Sequence, residues 1–310
     1  MKNYKYRFSI FTATYNRGNL LPKLYESLCN QTYKGEYEWI IVSDGSTDNT
    51  DNIVRSFIEE SKIPIKYVSK ENGGKHTAWR AATELFEGKY VLTADDDDPI
   101  SLDILSIFDK YWTELETSYD YDQFWEVKAR AQYENGALVG KELPEPYFDS
   151  DFIELTYKMK LGAEMVGCRK CEVLCNDAAV PDKFLFDDKC SNFPEEIRWA
   201  RAARMYKTRF VPDIVRTYVI GHDSLCVTPK GQKKSEKKIF NNLVSALYSL
   251  NELDDIFRKY VYKRYLISIL QLSYTSICLR VRVSDFIKSP INKLLYLLSI
   301  PLALLIKVFR

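Results

Sequence analysis

A chain of 310 residues with 46% apolar and 14% aromatic residues is long enough for one large α/β domain with an appendage, and too apolar to remain disordered. The formal net charge of +1 hides an asymmetry: residues 228–310 hold 15 Lys/Arg against 5 Asp/Glu, and residues 1–227 hold 29 against 38. This balance excludes a uniformly basic nucleic-acid binder. It leaves an acidic body that needs a cation to meet phosphates, and a basic tail suited to an anionic surface.

The first hundred residues alternate strand and helix. Tyr6–Ala13 reads as a buried strand, Leu20–Cys29 as a helix with apolar residues on one face, and Tyr37–Val42 as the next strand. Asn49–Ile58 is a helix for which Asp48 and Thr50 read as caps, and Ile65–Ser69 is a third strand. After the Gly73-Gly74 turn come a helix over Lys75–Phe86 and a fourth strand over Tyr90–Ala94. Strands separated by helices of this length imply right-handed βαβ units and a mostly parallel sheet, hence an α/β fold. Each strand runs into a polar loop, so polar residues converge on one edge of the sheet, where such sheets bind ligands.

From about Ser101 the alternation loosens. Phe124–Tyr133, Ala163–Cys168 and Phe210–Val219 read as strands and Phe193–Tyr206 as a helix. Beyond Lys230 the pattern is helical, over Ser235–Leu250 and then Leu253–Arg280. The boundaries expected are a catalytic domain over 1–227 and a basic helical extension over 228–310. The last apolar run, Leu294–Ile306, holds thirteen uncharged residues, too few to span a bilayer. Its basic flanks, Lys288, Lys293, Lys307 and Arg310, favour a peripheral membrane attachment.

No secretory pattern opens the chain, and seven scattered cysteines argue against a disulfide framework and for a reducing compartment. A cytoplasmic protein lying at the inner face of the membrane is therefore expected. Cys168, Cys171 and Cys175 have the i, i+3, i+7 spacing of a helix face, Cys190 could complete a zinc set, and no zinc site is assigned to them.

The densest chemistry lies in Lys89-Tyr-Val-Leu-Thr-Ala-Asp95-Asp96-Asp97-Asp98-Pro99. Four adjacent carboxylates repel unless a cation compensates them. Hard oxygens at a strand end suit Mg²⁺ or Mn²⁺ shared with a substrate's phosphates, whereas a solvated acidic turn is the plainer alternative.

Three separated pieces, Thr12-Ala13-Thr14-Tyr15-Asn16-Arg17, Val42-Ser43-Asp44-Gly45-Ser46-Thr47-Asp48 and the aspartate run, together resemble the family 2 glycosyltransferases. The resemblance covers roughly residues 6–225. It implies the GT-A fold and inverting, metal-dependent transfer from a nucleotide-diphosphate sugar. Thr14, Tyr15, Asn16, Asp44, Lys75 and Asp95 would then contact the donor, with Tyr15 stacked on the base and Asp44 accepting from a uracil N–H, which favours uridine. Asp95, Asp97 and Asp98 would hold the metal, Asp97 directly, and His222 is a further metal candidate. Asp96 fills the variable position and is expected to point away. The resemblance places the general base in Phe193-Pro194-Glu195-Glu196-Ile197-Arg198-Trp199-Ala200-Arg201. Register on Trp199 and Arg201 selects Glu195, whereas register on the acidic pair selects Glu196. The expected acceptor is a saccharide, lipid-linked or on the cell surface. Transfer to polyprenyl phosphate itself and an inactive sugar-nucleotide-binding scaffold are the alternatives.

Overall fold

The computed structural model describes residues 3–60, 62–97, 100–142, 147–161, 165–218 and 235–308. The chain separates into two compact units, one formed by Met1–Ala179 with Arg201–Leu225 and the other by Val180–Ala200 with Cys226–Arg310.

The first unit is built on an eight-stranded sheet. In chain order its elements are β1 (Tyr6–Thr14), α1 (Leu21–Cys29), β2 (Tyr37–Ser43), α2 (Thr50–Glu60), β3 (Ile65–Ser69), α3 (Lys75–Thr83) and β4 (Gly88–Thr93). They continue with α4 (Ile104–Glu116), β5 (Phe124–Tyr133), β6 (Phe148–Ser150), β7 (Met165–Lys170), α5 (Cys171–Cys175) and β8 (Lys207–Tyr218), while α6 (Glu195–Ala203), which precedes β8 in the chain, belongs to the second unit up to Ala200. The strand order is β3-β2-β1-β4-β7-β5-β8-β6. β3, β2, β1 and β4 run parallel, as does the pair β5 and β8, while β7 and β6 are antiparallel to their neighbours. The parallel half arises from the expected alternation: its central strands are apolar on both faces because helices cover both sides. Phe8, Ile10, Trp39, Ile41, Tyr90 and Leu92 on one face and Phe11, Ile40, Val42 and Val91 on the other are fully buried.

α4 was not anticipated from the sequence. Its apolar residues Ile104, Leu105, Phe108, Tyr111, Trp112 and Leu115 recur at helical spacing and are all buried. Trp112 stacks on Tyr90 with ring centroids 4.1 Å apart. The strand expected from Ala163 lies at Met165–Lys170, because its pairing with β4 and β5 extends to Lys170 and Arg169.

The second unit is helical: α7 (Glu236–Glu252), α8 (Asp254–Tyr260), α9 (Tyr262–Leu279) and α10 (Pro290–Val308). The single helix expected over Leu253–Arg280 is instead two, broken at Val261, whose φ of −141° and ψ of 56° leave the helical region. The break lets both Phe257 and Tyr265 be buried. The final apolar run also extends beyond its expected length. α10 carries Pro301 within it and has 19 residues, with a mean hydropathy of 1.7, so by length and composition it could cross a membrane.

Candidate active site

Parallel pairing brings the carboxyl ends of β1, β2, β3 and β4 level. Thr14 lies opposite Ser43, Ser43 opposite Ser69, and Phe11 opposite Thr93. The loops that follow are tied to one another by hydrogen bonds. The backbone N–H of Asp44 donates to the Thr14 carbonyl at 2.9 Å and that of Ala94 to the Phe11 carbonyl at 3.0 Å. Buried Thr12 donates to the Ala94 carbonyl at 2.9 Å and accepts from the Trp39 indole at 3.0 Å. These bonds set the starting point of the aspartate run.

Asp44 is buried and organises the loop before α3. It accepts the backbone N–H groups of Gly73 at 2.9 Å and Gly74 at 2.7 Å, and its Oδ1 lies 2.5 Å from Lys70 Nζ. Gly45 has a φ of 78°, and a Cβ there would stand 2.6 Å from the Asn72 backbone nitrogen, so only glycine allows these two loops to meet. Asn16, with a φ of 52°, accepts from the Thr47 N–H at 2.7 Å and donates its own N–H to Ser46 at 3.0 Å. Asp48 accepts from the N–H groups of Gly18 at 3.0 Å and Thr50 at 3.2 Å, which is a capping role. Asn16 and Asp48 therefore join the loops after β1 and β2, and Tyr15, beside Asn16, is half exposed.

The three described aspartates separate into two kinds. Asp95 and Asp97 have side chains 42% and 41% exposed, whereas Asp96 is buried. Asp96, expected to point away, is buried and partnered and shares the Arg17 guanidinium with Asp97. It accepts from Thr14 Oγ1 at 2.8 Å and pairs with Arg17 Nη1 at 3.0 Å. Burial pushes its carboxyl up to about 6, Arg17 and Thr14 pull the other way, and the charges of Asp97 and Asp95 add to the rise. The second Arg17 nitrogen, Nη2, hydrogen-bonds Asp97. Lys75, the first residue of α3, lies 3.4 Å from Asp95, and Arg216 of β8 lies 4.0 Å from it. Three cations thus face the acidic run.

Among the described residues no group of three His, Cys, Asp or Glu side chains is arranged to hold a metal ion by itself. The donor set still suits one. Two half-exposed carboxylates are the hard oxygens that bind Mg²⁺ or Mn²⁺ when a ligand's phosphates supply the rest of the shell. Asp98 and His222, both metal candidates from the sequence, lie outside the described residues.

Glu195 and Glu196 open α6, and both are partly buried. Within the second unit Glu196 Oε2 is paired with Arg264 Nη2 of α9. Sequence reasoning assigned no role to Arg17, Asp96 or Arg216. Arg17 and Asp96 stand inside the quoted motifs and Arg216 in the strand read over Phe210–Val219, and the signal available was charge balance, since four adjacent carboxylates require nearby cations.

Residues 9–129 match the family model described as "Glycosyl transferase family 2". An uncharacterized glycosyltransferase of Mycoplasma pneumoniae is 38% identical over 101 residues, which is 31% of this chain and 32% of that protein. The poly(ribitol-phosphate) beta-N-acetylglucosaminyltransferase TarS of Staphylococcus aureus is 32% identical over 100 residues, 32% of this chain and 18% of its own length. The similarity thus spans a third or less of these relatives. Among solved structures, S. aureus TarS 1–349 in complex with UDP superposes with a TM-score of 0.62 at 18% identity, over 95% of this chain and 88% of that one. The mannosyltransferase PcManGT of Pyrobaculum calidifontis, in complex with GDP-Man and Mn²⁺, gives 0.51 at 16% identity, over 98% and 82%. At such identities these structures speak for the fold alone.

Proposed function

Because this chain belongs to the family 2 glycosyltransferases and has the GT-A fold, we propose that it transfers a sugar, with inversion, from a nucleotide-diphosphate sugar to a hydroxyl of a lipid-linked or surface polysaccharide. The observation that carries this reading is the meeting of Asp44, Asp95 and Asp97 at one sheet edge with Lys75 and Arg17. Tyr15 offers an exposed ring on which a base stacks. Asp44, whose N–H donates to the carbonyl of Thr14, the residue before Tyr15, favours uridine, in keeping with the UDP and UDP-GlcNAc held by TarS. Lys75 and Arg17 would meet the phosphate oxygens.

Asp95 and Asp97 are the residues that would hold a Mn²⁺ or Mg²⁺ ion together with the donor's phosphates. When bound, such an ion offsets the negative charge that develops on a departing nucleotide diphosphate. Glu195 acts as the general base, removing the proton of the acceptor hydroxyl as that oxygen attacks the anomeric carbon. Register on Trp199 and Arg201 favours Glu195 over Glu196 for this role. The basic extension keeps the enzyme at the inner face of the cell membrane, beside lipid-linked acceptors.

The test is to incubate purified protein with UDP- and GDP-sugars and Mn²⁺ and to measure nucleotide release and transfer. Asp97→Asn is expected to lower transfer about 10³-fold, equivalent to several kcal/mol. Glu195→Gln is expected to lower it about 10²- to 10⁴-fold. Both variants should keep the wild-type melting temperature. A purified Asp97→Asn protein with near-wild-type transfer would sink the assignment.

A further inference from the structure

The α9–α10 hairpin has its polarity reversed relative to a water-soluble helix pair. Leu294, Leu297, Leu298, Leu302, Leu304 and Leu305 of α10 are 47 to 67% exposed. At 100° per residue these positions cover one continuous arc of roughly 160°. The opposite face, which packs against α9, carries Asn292, Tyr296, Ser299 and Ala303.

That seam is joined by polar groups. Tyr265 OH donates to Asn292 Oδ1 at 2.6 Å, and Asn292 Nδ2 donates to the Leu250 carbonyl at 2.8 Å. Ser273 Oγ lies 2.5 Å from Ser299 Oγ, and Ser276 Oγ lies 3.0 Å from Tyr296 OH. In water, burying serines while exposing leucines inverts the favourable order. In lipid the leucines have no reason to hide, and small polar residues hold helices together.

The polar seam also bears on orientation. A spanning α10 would have to leave α9 and carry Asn292, Tyr296 and Ser299 into hydrocarbon without those bonds. Held against α9, the helix can offer only its leucine arc. The charges complete the pattern. From Arg280 to Val308 the chain holds five basic residues, Arg280, Arg282, Lys288, Lys293 and Lys307, and one acid, Asp285. Arg282 and Lys293 lie 3.3 and 3.9 Å from Asp285, and Arg282 is 80% exposed. Arg280, Lys288 and Lys307 are exposed as well.

We infer that α10 is a monotopic membrane element that lies in the plane of an anionic phospholipid surface, leucine arc inward, locked to α9 by the polar seam. This rests on the membrane-proximal part of the proposed function and specifies which surface and which lipid make the contact.

The test floats full-length protein with vesicles of neutral phosphatidylcholine or of phosphatidylcholine containing phosphatidylglycerol. Anionic vesicles are expected to bind at least about tenfold more tightly. Leu298→Glu/Leu302→Glu/Leu305→Glu should bind at least about 100-fold more weakly, and so should the milder triple Leu→Ser variant, with the wild-type circular dichroism spectrum. A fluorescent non-natural residue at 294, 298 or 305 should be quenched equally by shallow spin-labelled lipids. Graded quenching along the helix would mean that α10 spans the bilayer and would overturn the in-plane assignment. Wild-type flotation by both triple variants, or a wild type that does not float, would overturn the membrane contact. A protein that dimerises in solution, becomes monomeric in the triple variants and ignores vesicles would make a second copy the occupant. Asp97→Asn should float as wild type, so a failed transfer assay and a failed flotation assay remain distinguishable.

Discussion

In the first unit Trp112 lies on Tyr90 with no exposure, and the charges of Arg17, Lys75, Asp95 and Asp97 collect at the sheet edge. In the α9–α10 hairpin Ser273 and Asn292 are inside and Leu298 is outside. The two regions draw on the same residue types and place them in opposite senses. The sheet follows the rule for water, where apolar area is removed and most buried polar groups are matched. The hairpin follows it only in its matched serines and asparagine. Its exposed leucines mark a surface adapted to something other than bulk water.

The comparison breaks most visibly if Trp112→Ala and Leu298→Ser behave alike. Trp112→Ala should cost about 3–5 kcal/mol in urea denaturation, because it opens a cavity in a packed core.

Next in size is the ion network beneath the sheet. Arg7 Nη1 lies 2.7 Å, Lys89 Nζ 2.5 Å and Tyr90 OH 2.7 Å from Glu116 Oε1. Burial by itself would raise the Glu116 carboxyl, but these hydrogen bonds outweigh it and hold it down to about 2. A carboxyl lowered on folding stabilises the protein above its unfolded value, near 4.5, and loses that stabilisation as pH falls towards 2. After allowance for solvent screening the loss should be about 1–2 kcal/mol, and Glu116→Gln should flatten stability measured between pH 5 and pH 2.5.

Arg17→Ala removes a partner of buried Asp96 and should lower stability by about 1–2 kcal/mol, read as a shift of the urea midpoint with unchanged slope. Ser273→Ala deletes its bond to Ser299 and should cost about 1 kcal/mol in water. Leu298→Ser should stay within about 0.5 kcal/mol of wild type. A loss of 2 kcal/mol or more at Leu298 would show a covered core position and end the contrast between the two regions.

Much of the site was legible because local pattern and chemistry agreed. Strand alternation located Tyr6–Thr14, Tyr37–Ser43 and Gly88–Thr93 to within a few residues, and parallel pairing then required their polar ends to share an edge. Asp44, Asp95, Asp97 and Lys75 were named from the family resemblance, and the fold brings the loops that carry them to that edge. α4 was missed despite its helical spacing, since aromatic-rich segments such as Tyr111-Trp112 suit strands as readily. The break at Val261 left no Pro or Gly to read, and the gain that produces it is the burial of Phe257 and Tyr265.

By itself, then, the sequence determined the α/β alternation, the acidic edge and the basic, apolar tail, because these follow from the periodicity and charge of neighbouring residues. Tertiary structure alone decided that Asp96 turns inward onto Thr14 and Arg17 while Asp95 and Asp97 remain open. It also decided that α10 presents its leucines rather than its serines. Both outcomes depend on partners distant in the chain, 82 residues from Thr14 to Asp96 and 26 from Ser273 to Ser299, whose contacts exist only once the fold has brought them together.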